Sequence, residues 1–465
     1  MQRRMTARGA LVLTGALLVG VVTGDALAPP PPIATIDASA DAPTPAVALF
    51  DAPEVISVSE RRGLTLATIN SVNAAANYLG VTPMYGRGFT LGMRQIVRGV
   101  TVIKQSTGPG WAYPVAVTAL PLQAIGTVMG RDVSGPIAAG KIVISQSAAT
   151  FHHAAVGDRF VLYNSGLGEV SFTVGLIAPD NQVGGAEVVM SVDQAGAVGA
   201  TTDTRILLYG QLDRTTVNNV LGGYGLVSGQ WLRVSRSWDA AGPDDTISLI
   251  RTKQLLGEFD LYYAGLANSD WVTRSGDGSW NAANLPAAKV VYPGGVSALC
   301  HNAISTDLWA ALAEVQSTLP SLVVYDPTYD NSFTGINVRN SNQYGGCATA
   351  NSARMSRISN GTGTVSRHSW GQAIDISTIP NCQGCVPKLD CRIVRIFRKH
   401  NFAWGGNFLE PDGMHFEWVG EQRHLIQTGV NFCNNTPLPL QSENQPPPRA
   451  RDSLFADDGW SEEHE

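Results

Sequence analysis

Two short stretches of the chain hold the side chains that a metal-dependent hydrolase needs. The first runs Ser366-Arg367-His368-Ser369-Trp370-Gly371-Gln372-Ala373-Ile374-Asp375, and the second Pro411-Asp412-Gly413-Met414-His415-Phe416-Glu417-Trp418. Together they offer two imidazoles and a carboxylate as ligands and leave a fourth position for water, the open donor set of a catalytic rather than a structural zinc. Zinc lowers the pKa of its water to about 7, and a nearby carboxylate then takes the proton as the water attacks a carbonyl. Asp412, three residues before His415, stands where such a base is needed. It fits a plain Pro-Asp-Gly turn equally well.

These groups need elements that face them inward. Residues 372–376 read as a strand with Ala373 and Asp375 on one face and Gln372, Ile374 and Ile376 on the other. In the second stretch Met414, Phe416 and Trp418 alternate with His415 and Glu417, so His415 faces the site with Glu417 beside it, while Phe416 and Trp418 face the core. Glu417 then either orients a ligand by hydrogen bonding or forms a surface salt bridge. A helix over residues 304–319 presents Leu308, Leu312 and Val315 on one face. Trp370 and Trp404 read as core aromatics before wall residues of a cleft. His400 and His424 lack ligand spacing, and His301 follows Cys300 and packs beside a disulfide.

The ordered set Ser-x-His-x-x-Gly-x-Ala-x-Asp, Trp-Gly-Gly and Asp-x-x-His-Phe-Glu resembles the zinc D-alanyl-D-alanine carboxypeptidase and L-alanyl-D-glutamate endopeptidase family, VanY-like peptidases of the hedgehog-type fold. Its elements here are Ser366, His368, Gly371, Ala373 and Asp375, then Trp404-Gly405-Gly406, then Asp412, His415, Phe416 and Glu417. The resemblance covers about residues 291–433. It implies that His368, Asp375 and His415 bind Zn2+ and that Asp412 is the general base. It further implies an arginine on the substrate or oxyanion; Arg339 stands where the family places one, with Arg354, Arg357 and Arg367 nearby. The implied fold is α+β, a small antiparallel sheet holding the zinc with helices flanking it. The implied substrate is the stem peptide of peptidoglycan, cut as a D-Ala-D-Ala carboxypeptidase. An L-Ala-D-Glu endopeptidase and a catalytically idle wall-binding or signalling module are the alternatives. The cysteine-bearing insertion over residues 381–391 and the long N-terminal half depart from shorter members and leave the scissile bond open.

The rest of the chain supplies context. At 465 residues, 44% hydrophobic and 15% charged, it exceeds what one core organises and predicts two domains with flexible segments. A net charge of -6 argues against nucleic acid as a partner. Residues 1–28 combine Arg3, Arg4 and Arg8 with an apolar run and Ala26-Leu27-Ala28, the pattern of a signal peptide, or of a membrane anchor because Pro29 disfavours cleavage. This predicts a secreted or extracytoplasmic protein. Residues 29–55 read as a Pro/Ala-rich linker, residues 56–228 as a sheet-rich mixed domain, residues 229–290 as a connector, residues 291–435 as the zinc peptidase domain and residues 436–465 as a disordered tail. Within the second of these segments, Ile144 to Ala149 and Val156-Gly157-Asp158-Arg159-Phe160 resemble the extracytoplasmic domains of FtsX/MacB-type permeases, and Gly157-Asp158 is equally a turn before a strand. His152 and His153 are read as strand neighbours on opposite faces and so as poor metal ligands. The connector is expected to hold a helix over residues 247–259 behind an acidic cap. All six cysteines lie from Cys300 onward, and an even count in an exported chain predicts disulfides.

Overall fold

Val- and Gly-rich runs of the N-terminal half become strands that close on themselves. In the computed structural model, Met84–Arg98, Arg159–Tyr163, Glu169–Ala178, Ile142–Ser145, Val188–Ser191 and Trp111–Leu120 pair in that order, and the last returns to the first. The described residues are 54–436 except 61–62, 165, 167, 211–213, 227–231, 237–241, 263–270, 275–278, 289, 294–296, 320–351, 355–364, 366, 377–380, 382, 409–410, 428–429 and 431. The expected export segment and tether up to residue 53, Arg339, and the tail from residue 437 therefore lie outside them.

Four of the six barrel contacts are antiparallel; Ile142–Ser145 runs parallel to Glu169–Ala178, and Trp111–Leu120 parallel to Val188–Ser191. Alternate residues of every strand, among them Leu91, Val117, Ile144, Leu162, Val174 and Val188, meet in one apolar cluster. That is what a period of two produces when each strand turns one face inward. Outside the ring, Ile125, Val133 and Ile137 of the helices Leu122–Val128 and Arg131–Ala138 cover Val143 and Val189. A side layer adds the strands Glu54–Glu60 and Arg205–Gly210 beneath the helices Leu66–Leu79 and Arg214–Gly223.

Most expected elements are present, with informative shifts. The apolar residues from Val100 to Ile103 do not all enter a strand: Gly99, at φ 59, turns the hairpin, leaves Val100 99% exposed at its tip, and the strand Thr101–Gln105 begins after it. His152 and His153 are not strand neighbours. Ser145 caps a helix by accepting from the Ala148 N–H, the helix Gln146–His152 follows, and His153 ends it in the left-handed region at φ 55. Among the described residues, no helix is long and apolar enough to cross a membrane.

In the C-terminal half the helices Ser305–Thr318 and Cys391–Lys399 pack on a three-stranded sheet, Ala373–Asp375, His415–Trp418 and Phe402–Trp404, with His415–Trp418 central. Leu308, Leu312 and Val315 from one helix and Ile393, Val394 and Phe397 from the other join Ile374, Phe416 and Trp404 in one core. The Cys391–Cys433 disulfide ties the start of the second helix to a segment 42 residues on, a closure that stabilises by about 4 kcal/mol on chain entropy. Cys300 and Cys385 are also disulfide-bonded.

The expected connector helix is shorter, Leu249–Leu256, and its cap is Ser248, whose hydroxyl accepts from the Arg251 N–H. The two acidic residues ahead of it, Asp244 and Asp245, are used elsewhere, Asp245 accepting from the Gly242 N–H. Asp244 is buried and accepts from Arg398 Nε at 2.9 Å, from the Trp404 N–H at 3.0 Å and from Asn407 Nδ2 at 2.6 Å. A carboxylate with this many donors, one of them a buried guanidinium, compensates its own desolvation. Leu249, Leu256, Phe259 and Trp280 join the same core as the three-stranded sheet.

The helix Leu249–Leu256 meets the barrel through charge. Wholly buried Lys253 places Nζ 2.8 Å from Glu187 Oε2 and 3.3 Å from Glu258 Oε1, Glu258 pairs with Lys104, and His152 Nε2 lies 3.4 Å from Glu187 Oε2. With His152 neutral the cluster balances. Burial opposes ionisation of Glu187, but Lys253 and His152 outweigh it and hold the carboxyl at about 2 instead of 4.5. Burial also pushes His152 below its ordinary 6.5, against the opposing pull of Glu187 and Glu258. Both shifts have one sign for stability: as pH falls below 6.5 the unfolded chain protonates the imidazole first, and from 4.5 down toward 2 it protonates the carboxylate first. Stability should therefore decline on acidification from near pH 6.5, each group adding a slope of up to about 1.4 kcal/mol per pH unit. Denaturant midpoints measured across pH should show this, with the part just below pH 6.5 removed in His152→Gln; an identical profile in that variant would refute the assignment.

Candidate metal centre

The turn that carries His368 is shaped by its glycine. Arg367–Trp370 form a short 3-10 turn, Gly371 closes it at φ 65 with its N–H on the His368 carbonyl at 3.0 Å, and the strand Ala373–Asp375 begins two residues later. The Gly371 carbonyl accepts from the His301 N–H at 3.0 Å, and a Cβ at Gly371 would lie 2.8 Å from that nitrogen. Both its dihedral and its surroundings thus require glycine.

The strands then bring the remaining donors together. Asp375 is paired directly opposite His415, Ala373 opposite Glu417, and Ile374 opposite Phe416, so the alternation expected from sequence holds. Asp375 Oδ1 lies 3.2 Å from His368 Nε2 and 3.1 Å from His415 Nδ1, and the two imidazole centroids are 4.9 Å apart. One ligand atom from each of the three residues lies within 4.8 Å of the others. Donors about 2.1 Å from a tetrahedral zinc stand about 3.4 Å apart, so the His368–Asp375–His415 cluster fits a zinc site.

The electrostatics suit a cation. Burial works against ionisation of Asp375, yet the His368 charge and the hydrogen bonds from both imidazoles keep it ionised well below the usual carboxylate range. Burial would lower His415, but its hydrogen bond to Asp375 and the neighbouring Glu417 and Asp412 carboxylates push it up to about 10. Three carboxylates thus concentrate negative charge around His415, and a cation bound there would take the place of the proton that they stabilise on the ring.

Asp412 is held beside this cluster by backbone. Its N–H donates to the Gly405 carbonyl at 2.8 Å, and its own carbonyl accepts from the His415 N–H at 3.0 Å. It forms a bridge with Gln383, the Gly384 N–H donates to the Pro411 carbonyl, and the Met414 N–H to the Asn381 carbonyl. The insertion over residues 381–391 therefore lies along the segment that carries Asp412, a contact without any signal in the sequence.

Of the other expected residues, Glu417 is buried rather than a surface ion: Arg367 Nε lies 3.2 Å from its Oε1, and its Oε2 is 3.8 Å from His415 Nε2. Arg367 was one of several arginines near the motif, and only its adjacency to His368 hinted at this place. Trp404 is buried and donates to the Gly413 carbonyl, and buried Trp370 donates to the Gly257 carbonyl, so both are core. Phe408, not singled out by sequence, sets its ring 5.7 Å from His415. His400 pairs with Glu314, and His301 Nε2 donates to the Leu256 carbonyl while its Nδ1 accepts from the Ala303 N–H, so neither joins the cluster.

Residues 360–418 match the D-alanyl-D-alanine carboxypeptidase family model. The matched segment contains His368, Asp375, Asp412 and His415 and ends with the central strand of the sheet. It supports peptidase chemistry for this part of the chain. No curated protein matches the chain.

Gly405 offers a direct probe of the geometry, since a Cβ there would lie 2.5 Å from the Asp412 carbonyl and 3.0 Å from His415 Cβ. Gly405→Ala must displace one of them, and zinc affinity in a chelator competition should drop by about tenfold or more; unchanged affinity would show that the floor under His415 does not matter.

Proposed function

We propose that the chain is an exported zinc metallopeptidase that hydrolyses peptide bonds in peptidoglycan stem peptides, of the D-Ala-D-Ala carboxypeptidase type. The observation that carries this reading is the convergence of His368, Asp375 and His415 within 4.8 Å, beside an acid three residues before the last of them. Export follows from the signal-like segment at residues 1–28 and from the cysteine content.

His368, Asp375 and His415 would hold the ion. Zinc, when bound, supplies Lewis acidity that makes water ionise near neutral pH and polarises the scissile carbonyl. Asp412 accepts the proton released by the attacking water and returns it to the leaving amine; in support, backbone bonds to Gly405 and His415 hold its segment against the strand of His415, and its charge acts on the His415 ring. Glu417, itself held by Arg367, faces His415 Nε2 and favours the tautomer with its proton there, which leaves Nδ1 free to donate its lone pair. The sheet face behind these groups is closed by Phe416 and Trp404.

Asp412→Asn keeps the shape and removes the base. Turnover of a stem-peptide substrate should fall by roughly 100- to 10,000-fold while zinc content, read by elemental analysis, stays at one per chain. Activity near that of the unaltered protein would remove Asp412 from the mechanism.

A further inference from the structure

The helix Leu249–Leu256 and the residues at its two ends touch the barrel and the metal centre at once. Before it, the Ile247 carbonyl accepts from Arg367 Nη2 at 3.1 Å; after it, the Gly257 carbonyl accepts from the Trp370 indole N–H at 3.0 Å. Arg367 and Trp370 are the first and last residues of the turn that carries His368, and Arg367 also holds Glu417 beside His415. The middle of the helix is held from the other side. Lys253 is anchored on Glu187, which precedes the barrel strand Val188–Ser191 and also accepts from the Ala116 N–H of another barrel strand at 3.1 Å. Glu258, just beyond the helix, is held by Lys104 of the strand Thr101–Gln105.

A wholly buried lysine and glutamate seldom add net stability over an apolar pair of the same size, whereas their hydrogen bonds are directional and admit one register. Between the barrel and the metal centre that directionality has a use. Sliding or rotating the helix would move both carbonyls that hold the His368 turn.

We propose that Lys253 is a positioning residue for the metal centre: fixed on Glu187 of the barrel, it sets the register of the helix Leu249–Leu256, and the helix fixes the turn that presents His368. The N-terminal barrel is then the frame on which the donor set is held. This inference rests on the zinc reading and goes beyond it by giving residues outside the family-matched segment a part in the same chemistry.

The test uses the full chain, with zinc affinity from chelator competition, the visible spectrum of bound cobalt(II), and the thermal midpoint of the metal-free protein. Lys253→Met leaves Glu187 without its cation, and Lys253→Met with Glu187→Leu removes both charges. Both variants should bind zinc about tenfold or more weakly with an altered cobalt spectrum. The double variant should regain the thermal midpoint without regaining affinity, which a merely structural pair would not do. Unaltered zinc affinity and cobalt spectrum in the single variant despite a lower midpoint, or recovery of affinity along with stability in the double variant, would overturn the proposal. If the unaltered chain binds no zinc, the metal reading itself fails and takes this inference with it; if it binds zinc and the variants bind it equally, only the positioning role fails.

Discussion

An ionised carboxylate in a protein interior must be met by positive charge or by donors, and Asp375 is met by two imidazoles. The C-terminal half is arranged around that requirement. Strand pairing puts Asp375 opposite His415, the glycine-closed turn delivers His368 from the other side, and the apolar residues between them in sequence face away into the core. The same arrangement that neutralises a buried anion leaves three donor atoms pointing at one volume, which is the condition for binding a divalent cation. Asp412 and Glu417 extend the negative charge around His415.

Charge also organises the parts farther out. Asp244 gathers Arg398, the Trp404 N–H and Asn407, so a residue far upstream locks the second core helix to the strand and turn under the metal site. Glu187, Lys253, Glu258, Lys104 and His152 do the same between the barrel and the helix Leu249–Leu256. In both places a long-range ion pair fixes orientation where apolar packing alone would tolerate small slides. The residues between the barrel and the peptidase sheet are therefore structural members of the metal centre's surroundings.

What could be seen in the sequence was whatever depends on neighbours a few residues apart. The alternation through Ala373, Ile374 and Asp375 and through His415, Phe416 and Glu417 gave the facing of two of the three donors, Asp375 and His415, whereas His368 sits on a turn that alternation does not reach. The spacing of Leu308, Leu312 and Val315 gave a core helix, and cysteine parity anticipated the disulfides. Closure of the six-stranded barrel, the role of Asp244, the burial of Lys253 and the apposition of the 381–391 insertion to Asp412 all depend on pairings across long sequence separations and leave no local mark. His152 and His153 fall at the end of a helix and not on a strand, because the short helix Gln146–His152 follows directly on the strand Ile142–Ser145, whose last residue is its cap. Arg339, assigned through resemblance, lies outside the described residues.

The central claim is that this donor set hydrolyses a peptide bond at the end of a peptidoglycan stem. Mass spectrometry of muropeptides with stems ending in D-Ala-D-Ala, after incubation with the zinc-loaded full chain, tests it most directly. The account predicts a product lighter by one alanine residue and no shorter fragments. Muropeptides left intact by a chain that holds stoichiometric zinc would contradict it, and stems severed from within would contradict the assignment of the bond.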